Sequence, residues 1–125
     1  MKSLLLISLL SVSATFMLKG PDITFDNQVI EADTINMPVY HGEFTFENTG
    51  DQPLVISRVA SAAGNVTTRW DKEPIMPGGI SKIEFLMDTR GRQGKFNSTI
   101  TVDANTEQKQ YILTIKGYIQ PKNEE

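Results

Sequence analysis

The 125-residue sequence contains no Cys and a single His. The absence of Cys excludes disulfides, thiolate zinc sites and a cysteine nucleophile, and one His is too few for a multi-histidine metal site within one chain. The 12 basic residues are scattered and are outnumbered by 15 acidic ones. A surface that tracks phosphates needs clustered Lys and Arg, so we expect no nucleic-acid partner. We also expect no metal and no cofactor.

The first 20 residues have the pattern of a secretory signal peptide. Lys2 precedes an apolar stretch over residues 4–12, and the small residues that follow favour cleavage after Ala14, with cleavage nearer Gly20 as an alternative. The apolar character ends at Leu18 and is interrupted by Ser and Thr, whereas a spanning helix needs about 20 residues. We therefore expect no stable membrane span. An uncleaved anchor and a soluble N-terminal helix or strand are the weaker alternatives.

Residues 21–125 then carry ten basic and 15 acidic side chains, a net charge of −5. A mildly acidic exported domain without Cys suits a bacterial periplasm or cell surface. We divide the chain into a signal peptide or N-terminal apolar segment over 1–20, a folded domain over 21–120 and a frayed tail over 121–125.

The folded part favours β-structure. In residues 21–125, Val, Ile and Thr together number 28, whereas Ala and Leu number 8. β-branched side chains suit a pleated sheet better than a helix. Apolar residues alternate with period two, and no window keeps helical spacing for three turns. The expected strand segments are, in order, Ile23–Phe25 with Val29–Ile35 as a possible continuation, Val39–Glu47, Leu54–Ile56, Val66–Trp70, Ile83–Met87, Phe96–Ala104 and Tyr111–Ile119.

Turn-forming residues separate these segments, among them Asn48-Thr49-Gly50-Asp51 and Pro77-Gly78-Gly79. About seven short strands in ~100 residues, each with one apolar face, predict an all-β fold, an immunoglobulin-like β-sandwich. No crossover helix of the kind that a parallel α/β fold requires is visible.

The order of these motifs resembles one bacterial family, the domain of unknown function 1573, which is frequent in exported proteins of Bacteroidetes-type bacteria. The resemblance covers roughly residues 25–120. It rests on Phe44-x-Phe46-x-Asn48-Thr49-Gly50-x-x-Pro53-Leu54-x-Ile56, Trp70, Pro74-Ile75-x-Pro77-Gly78, Phe85, Asp88-Thr89, Gly91, Gly94-x-Phe96, Ile100-x-Val102, Asn105 and Leu113-x-Ile115-x-Gly117. It implies an immunoglobulin-like sandwich akin to the hydin-type and major-sperm-protein-type domains, and no established activity.

One loop departs from the family pattern. The family often carries Ser-Cys-Gly-Cys-Thr after the third apolar segment, where this chain has Ser61-Ala62-Ala63-Gly64-Asn65-Val66. Ala63 and Asn65 stand at the two Cys positions, so any redox or metal chemistry of that loop is absent here. The retained Gly64 suggests that the turn geometry persists. This chain is then a divergent or purely structural member.

No catalytic constellation is recognisable. His41 and Glu43 share one face of a strand, and a metal site or an acid–base pair there competes with a solvated polar face, which we favour. The acidic pairs Glu31/Asp33 and Asp71/Glu73 could serve glycoside hydrolysis, but a small sandwich offers little concavity in which to desolvate them. The sequence also lacks the nucleophile-elbow and zinc-protease motifs. We therefore predict that the protein is not an enzyme.

Two features could contact a partner. The loop Arg90-Gly91-Arg92-Gln93-Gly94-Lys95 is basic, whereas the domain as a whole is acidic. It could bind a carboxylate or a phosphate, although charged, glycine-rich hairpin loops are also common for solubility alone. Trp70, the only Trp, is a candidate stacking platform for a sugar, but we favour a core position. We name Arg90, Arg92, Lys95, Gly64 and Asn65 as candidate partner contacts.

Two kinds of glycosylation pattern are also present. Asp33-Thr34-Ile35 resembles an O-glycosylation pattern of Bacteroidetes exported proteins, which makes Thr34 a candidate site. Asn65-Val66-Thr67 and Asn97-Ser98-Thr99 fit the Asn-linked sequon, to which we assign no role in a bacterium.

The leading functional hypothesis is a non-catalytic exported module that presents loops or a sheet edge to a protein partner. The alternative is a glycan-binding module of the cell envelope that uses Trp70 or Tyr118 as its platform. A hydrolase that uses Asp71 and Glu73 is the third and weakest hypothesis.

Overall fold

A computed structural model describes residues 18–121, which form strands and connecting loops with no helix. The expected signal segment up to residue 17 and the tail from residue 122 lie outside the described residues. Eight strands follow one another along the chain: β1 (Ile23–Phe25), β2 (Val29–Ile35), β3 (Val39–Asn48), β4 (Ile56–Ser61), β5 (Val66–Trp70), β6 (Ile80–Asp88), β7 (Gly94–Ala104) and β8 (Gln110–Ile119).

The strands form two four-stranded sheets that pack face to face, as the apolar alternation predicted. One sheet has the order β1-β3-β6-β5 and the other the order β2-β8-β7-β4. All pairings are antiparallel except that of β2 with β8, which is parallel. The described residues thus form an all-β sandwich of the immunoglobulin-like kind.

The first apolar segment is where the strand count differs from expectation. Ile23–Phe25 and Val29–Ile35 are not one continued strand, because β1 pairs with β3 in the first sheet and β2 pairs with β8 in the second. The chain between them therefore crosses from one sheet to the other. This crossing gives eight strands rather than about seven.

Two strand boundaries also differ from the sequence pattern. Leu54 is buried, but it precedes β4 and forms an isolated bridge with Ile75 instead. β6 begins at Ile80, whose side chain is exposed, and so it is longer than its apolar alternation indicated. Both boundaries depend on pairing with distant residues, Leu54 with Ile75 and Ile80 with Glu47. The alternation of apolar residues along the chain carries no information about such pairing.

The core consists of the inward-facing residues of both sheets. Phe44, Phe46, Ile83, Ile100 and Leu113 are among those with almost no exposed surface. Each lies on the apolar face that the period-two alternation assigned to its strand. Burial of side chains of this size is the main source of stability in such a sandwich.

Glycine allows two close approaches inside strands. A Cβ at Gly42 would lie 2.8 Å from the Phe85 ring inside the core. A Cβ at Gly117 would lie 2.9 Å from the carbonyl oxygen of Asp33, where a bulge brings β2 against β8. Both contacts are shorter than real Cβ contacts, so a larger residue would displace the neighbouring side chain or strand.

The chain immediately before β1 is bound to the domain. The backbone N–H groups of Lys19 and Gly20 donate to the carboxylate of Asp51, each at 2.8 Å, and the Asp51 N–H donates back to the Gly20 carbonyl at 3.1 Å. A Cβ at Gly50 would lie 2.2 Å from that Gly20 oxygen. Lys19 and Gly20 are therefore held by the β3–β4 loop.

No helix in residues 18–121 is long and apolar enough to cross a membrane.

Candidate interaction surface at one end of the sandwich

Three loops that are far apart in sequence meet at one end of the sandwich. They are the β2–β3 loop (36–38), the β4–β5 turn (62–65) and the β6–β7 loop (89–93), and the chain leaving β8 at Gln120 joins them. We call this the loop end. Four of the five candidate contacts, Gly64, Asn65, Arg90 and Arg92, lie in these loops, and Lys95 is the second residue of β7 at the same end.

Hydrogen bonds connect the loops to one another. The Asp88 N–H donates to the Asn65 carbonyl at 2.9 Å, and the Asn65 side-chain amide donates to the Asp88 carbonyl at 2.9 Å. The buried Thr89 donates its hydroxyl to the Met37 carbonyl and its N–H, at 3.0 Å, to the Pro38 carbonyl. The loop end is therefore a connected surface rather than a set of independent tips.

The two arginines of the basic loop differ in their partners. Arg90 donates from Nη2 to Asp88 Oδ2 at 2.8 Å and from Nε to Asp88 Oδ1 at 3.0 Å, so it forms a forked ion pair within the chain. The Arg90 guanidinium and the Arg90 N–H bind this carboxylate, and they lower the pKa of Asp88 to about 2. In residues 18–121, Arg92 has no carboxylate within 4.0 Å. Arg92 is thus the arginine available to an external anion.

A groove of about 460 Å³ opens between these loops. Ile35 and Ile119 form its buried floor, Met37 and Pro121 expose apolar surface at its wall, and Arg92 lies at its basic side together with Arg90. The Gln120 N–H donates to the Ile35 carbonyl at 2.8 Å and closes the floor. The groove therefore places an apolar wall beside a cation.

The loop that departs from the family pattern forms a simple turn. The Val66 N–H donates to the Ala63 carbonyl at 3.2 Å, and the Ala63 N–H donates to the Ser61 hydroxyl at 3.1 Å. Gly64 does not have a positive φ, and a Cβ there would meet open space. The turn is present, as expected, but its backbone does not require glycine at this position.

Two sheet edges are protected against pairing with another strand. The carbonyls of Ile56 and Val59 on the edge strand β4 accept hydrogen bonds from the Trp70 indole, at 3.3 Å, and from the Thr68 hydroxyl, at 3.0 Å. On the edge strand β2 the register shifts at a bulge, where Asp33 has a φ of 53°. A bulge and charged residues at an edge discourage strand addition.

Trp70 contributes chiefly to packing. It is half-buried and packs against the core cluster, its indole N–H is used by the Ile56 carbonyl, and Lys72 Nζ lies 5.0 Å from the centroid of its ring. Lys72 lies over the ring, and Trp70 also borders the groove over β3, β6 and β5. The sequence favoured a core position, whereas Trp70 is partly buried at the edge of the core.

A second, larger groove of about 940 Å³ lies over β3, β6 and β5. His41 and Glu43 point outward there, as the alternation predicted. Lys82 binds both Glu43, at 3.2 Å, and Glu84, at 3.1 Å, which also raises the pKa of Lys82. These carboxylates are therefore paired with a cation and exposed to solvent, which does not favour acid–base chemistry.

Two of the four remaining candidate carboxylates, Glu31 and Asp71, make local contacts. Glu31 pairs with Lys116 at 3.4 Å, and Asp71 accepts the N–H of Glu73 at 3.0 Å in a turn. Among residues 18–121, no three His, Asp or Glu side chains are grouped so that they could hold a metal ion.

Tyr118 and Thr34 lie next to each other on the outer face of the second sheet. The Tyr118 side chain is 41% exposed and borders a shallow groove with Lys95 and Asn97. Thr34 is exposed beside the β2 bulge, so it is accessible to modification.

The sequence patterns did not identify Met37 or the segment Gln120–Pro121 as part of the candidate surface. The strand order could have indicated them. In a sandwich whose successive strands run in opposite directions, alternate connections lie at the same end. This alternation places the β2–β3, β4–β5 and β6–β7 loops together, whether Ile23–Phe25 and Val29–Ile35 count as one strand or two.

Solved structures share this fold at low sequence identity. The chain matches a protein of unknown function from Porphyromonas gingivalis W83 with a TM-score of 0.72 and 17% identity over 86% of this chain, which spans about half (51%) of that protein. It matches the Vibrio cholerae VesB protease with a TM-score of 0.63 and 11% identity over 79% of this chain and 32% of that one.

The third comparison is the ASH/PapD-like domain 7 of human CEP192, with a TM-score of 0.58 and 14% identity over 82% of this chain and 87% of that one. Likeness at these identities shows a shared fold and nothing of activity. No match was found among the curated proteins.

The family model for proteins of unknown function named DUF1573 matches residues 23–119, which run from the first residue of β1 to the last of β8 and include every motif that carried the resemblance. The chain therefore belongs to the DUF1573 family.

Proposed function

We propose that this protein is a non-catalytic exported module that binds a protein partner through the loop end of its sandwich. The observation that carries the proposal is the convergence of three loops around one groove, with Arg92 beside it. Loops held on a rigid sandwich are the usual place for a binding site in such folds. The protected edges of β2 and β4 favour the loops over strand addition to the second sheet.

The ion pairs of the acidic residues agree with a role without catalysis. Glu43 and Glu84 bind Lys82, and Glu31 binds Lys116. These carboxylates are exposed to solvent, whereas a general acid is usually desolvated in a cleft. The likeness to a protease covers about a third of that chain and supports the fold alone.

Export is part of the proposal and rests on residues 1–20. Their charge, apolar stretch and small residues fit a signal peptide, which would deliver the domain to the periplasm or the cell surface. The Asp51 carboxylate accepts hydrogen bonds from the backbone N–H groups of Lys19 and Gly20. These contacts support cleavage after Ala14 rather than after Gly20, because cleavage after Gly20 would remove them.

Site-specific crosslinking in cells tests this proposal. A photo-reactive amino acid is placed at Gln93 in the loop end, or at Glu107 in the β7–β8 loop at the opposite end as the matched control. The eleven residues of β7 separate the two ends by about 30 Å. We expect a discrete covalent adduct with one protein from position 93 and none from position 107. Equal adducts from both positions, or no protein adduct from position 93, would contradict the proposal.

A glycan-binding role is the alternative, and the exposed Tyr118 is the observation in its favour. Its ring is bordered by the polar side chains of Lys95 and Asn97, as a shallow sugar site requires. Titration of envelope polysaccharides against the wild type and Tyr118→Ala separates the two functions. Saturable binding that the substitution abolishes would support the glycan role, and binding that it leaves unchanged would exclude Tyr118 as the platform.

A further inference from the structure

The groove at the loop end combines two recognition chemistries within a short distance. One wall is apolar, because Met37 exposes 49% of its surface beside Pro38 and Pro121. Arg92 lines the same groove and has no carboxylate within 4.0 Å in the described part of the chain. A ligand that fills this groove needs an apolar group for the wall and an anion for the guanidinium.

From this juxtaposition we infer that the groove binds an extended protein segment in which an acidic residue lies next to an apolar one. This inference rests on the proposed function and names the chemistry of the partner. The apolar side chain packs against Met37 and Pro121, and the carboxylate accepts hydrogen bonds from Arg92. Arginine is suited to this contact because its planar guanidinium binds a carboxylate through two parallel N–H groups.

Charge complementarity selects an acidic segment. The chain has a net charge of −3, so its overall charge does not attract an acidic ligand. The loop end is the exception, with Arg90, Arg92 and Lys95 against Asp88. Because Asp88 neutralises Arg90, Arg92 is the cation left in the groove to attract a carboxylate, and Lys95 borders the separate groove beside Tyr118. A polyanion such as a nucleic acid would need a row of cations rather than one.

The groove is formed before any ligand arrives. Thr89 holds the β2–β3 loop through the carbonyls of Met37 and Pro38, and Gln120 holds the end of β2 through the Ile35 carbonyl. A preformed groove reduces the conformational entropy that binding must remove. A short segment can therefore bind measurably without reorganising the loops.

Selection from a randomised dodecapeptide library tests the inference without knowledge of the natural partner. Immobilised wild-type protein is exposed to the library, and the enriched sequences are synthesised and titrated by calorimetry. We expect enrichment of Asp or Glu within two positions of Leu, Ile, Val, Met or Phe. A charge-assisted hydrogen bond contributes about 1.5–3 kcal/mol, so Arg92→Ala should weaken the selected peptides about tenfold or more.

Matched variants separate the site from general charge and from folding. Arg58→Ala removes another exposed arginine, one on β4 that has no ion pair among the described residues, and should leave the affinity unchanged. Met37→Gln removes the apolar wall while Thr89 keeps the backbone contact, and it should also weaken binding. Arg92→Glu should prefer a peptide whose acidic residue is replaced by Lys, a reversal that unfolding could not produce.

Several results would overturn the inference. They are selected peptides without acidic residues, peptides that bind Arg92→Ala as tightly as the wild type, or no peptide with a dissociation constant below about 1 mM. If one of these results were found but position 93 still gave a crosslinked partner, the acidic segment would be refuted as the ligand and the proposed function would stand. Loss of the crosslink would refute the proposed function itself.

Discussion

Asn48 is the side chain whose removal should cost the most stability for its size. It is a motif residue at the end of β3 and is fully buried. Its amide donates to the carbonyls of Gln52 and Ile75, each at 2.8 Å, and its oxygen accepts the N–H of Gly50 at 3.0 Å and, at 3.4 Å, that of Asp22. One side chain thus joins the β3–β4 loop, the β5–β6 loop and the segment before β1.

Asn48→Ala removes all of these bonds and leaves the Gln52 carbonyl and the N–H groups of Gly50 and Asp22 without partners, whereas the Ile75 carbonyl keeps the N–H of Leu54. Each unsatisfied buried group costs about 1–3 kcal/mol, and relaxation of the loops towards water places the total near the low end, at about 3 kcal/mol. For a domain of this size, that loss should lower the melting temperature by about 10–20 °C. The binding affinity at the loop end should not change, because Asn48 lies at the opposite end of β3.

Urea denaturation followed by circular dichroism measures the loss. Asn97→Ala, which truncates an exposed Asn on β7, is the matched control and should change the free energy of unfolding by less than about 0.5 kcal/mol. If Asn48→Ala lost no more than this control, the buried hydrogen bonds would not stabilise the fold as we reason.

Three further predictions concern the ion pair, the tryptophan and the N-terminus. Arg90→Gln should raise the pKa of Asp88 from about 2 towards its ordinary value, and carboxyl NMR titration would disprove the pairing if this pKa stayed near 2. The pair stabilises the fold above the unfolded-state pKa of Asp88, and this stability is lost as the pH falls through about 2. Trp70→Phe removes the hydrogen bond from the indole to the Ile56 carbonyl on β4, so the free energy of unfolding measured in urea should fall by about 1 kcal/mol. Polysaccharide binding should not change. An unaltered denaturation midpoint would count against that hydrogen bond. N-terminal sequencing of the exported protein should find a start before Lys19, since Asp51 binds its N–H, and a start at residue 21 would contradict this.

The strand segments and their inward faces could be predicted from the sequence because alternation is a local property. Phe44 and Phe46, or Leu113 and Ile115, face the core whichever strand lies beside them. The parallel pairing of β2 with β8 could not be predicted in this way. It depends on the chain changing sheets after β1, and nothing in the turn residues between β1 and β2 specifies the partner strand.

The candidate surface was predicted in part. The basic loop and the Gly64–Asn65 turn were selected separately, on charge and on their departure from the family pattern. Their proximity comes from two hydrogen bonds between Asn65 and Asp88, residues 23 positions apart. Met37 carried no signal of its own, because a single exposed methionine in a loop is unremarkable until its neighbours in space are known.

The class of fold, the family resemblance and the apolar faces could be inferred from the sequence alone, because β-branched composition, period-two alternation and motif spacing are all local properties of the chain. Which arginine of the basic loop is free became apparent only in the folded protein. Arg90 and Arg92 lie two residues apart in the same loop, and the difference between them is the carboxylate of Asp88, which the fold of the loop brings to Arg90. The same holds for Trp70, whose partner is a carbonyl on a strand of the other sheet. Charge pairing and edge protection act through space, so they appear only when the strands are assembled.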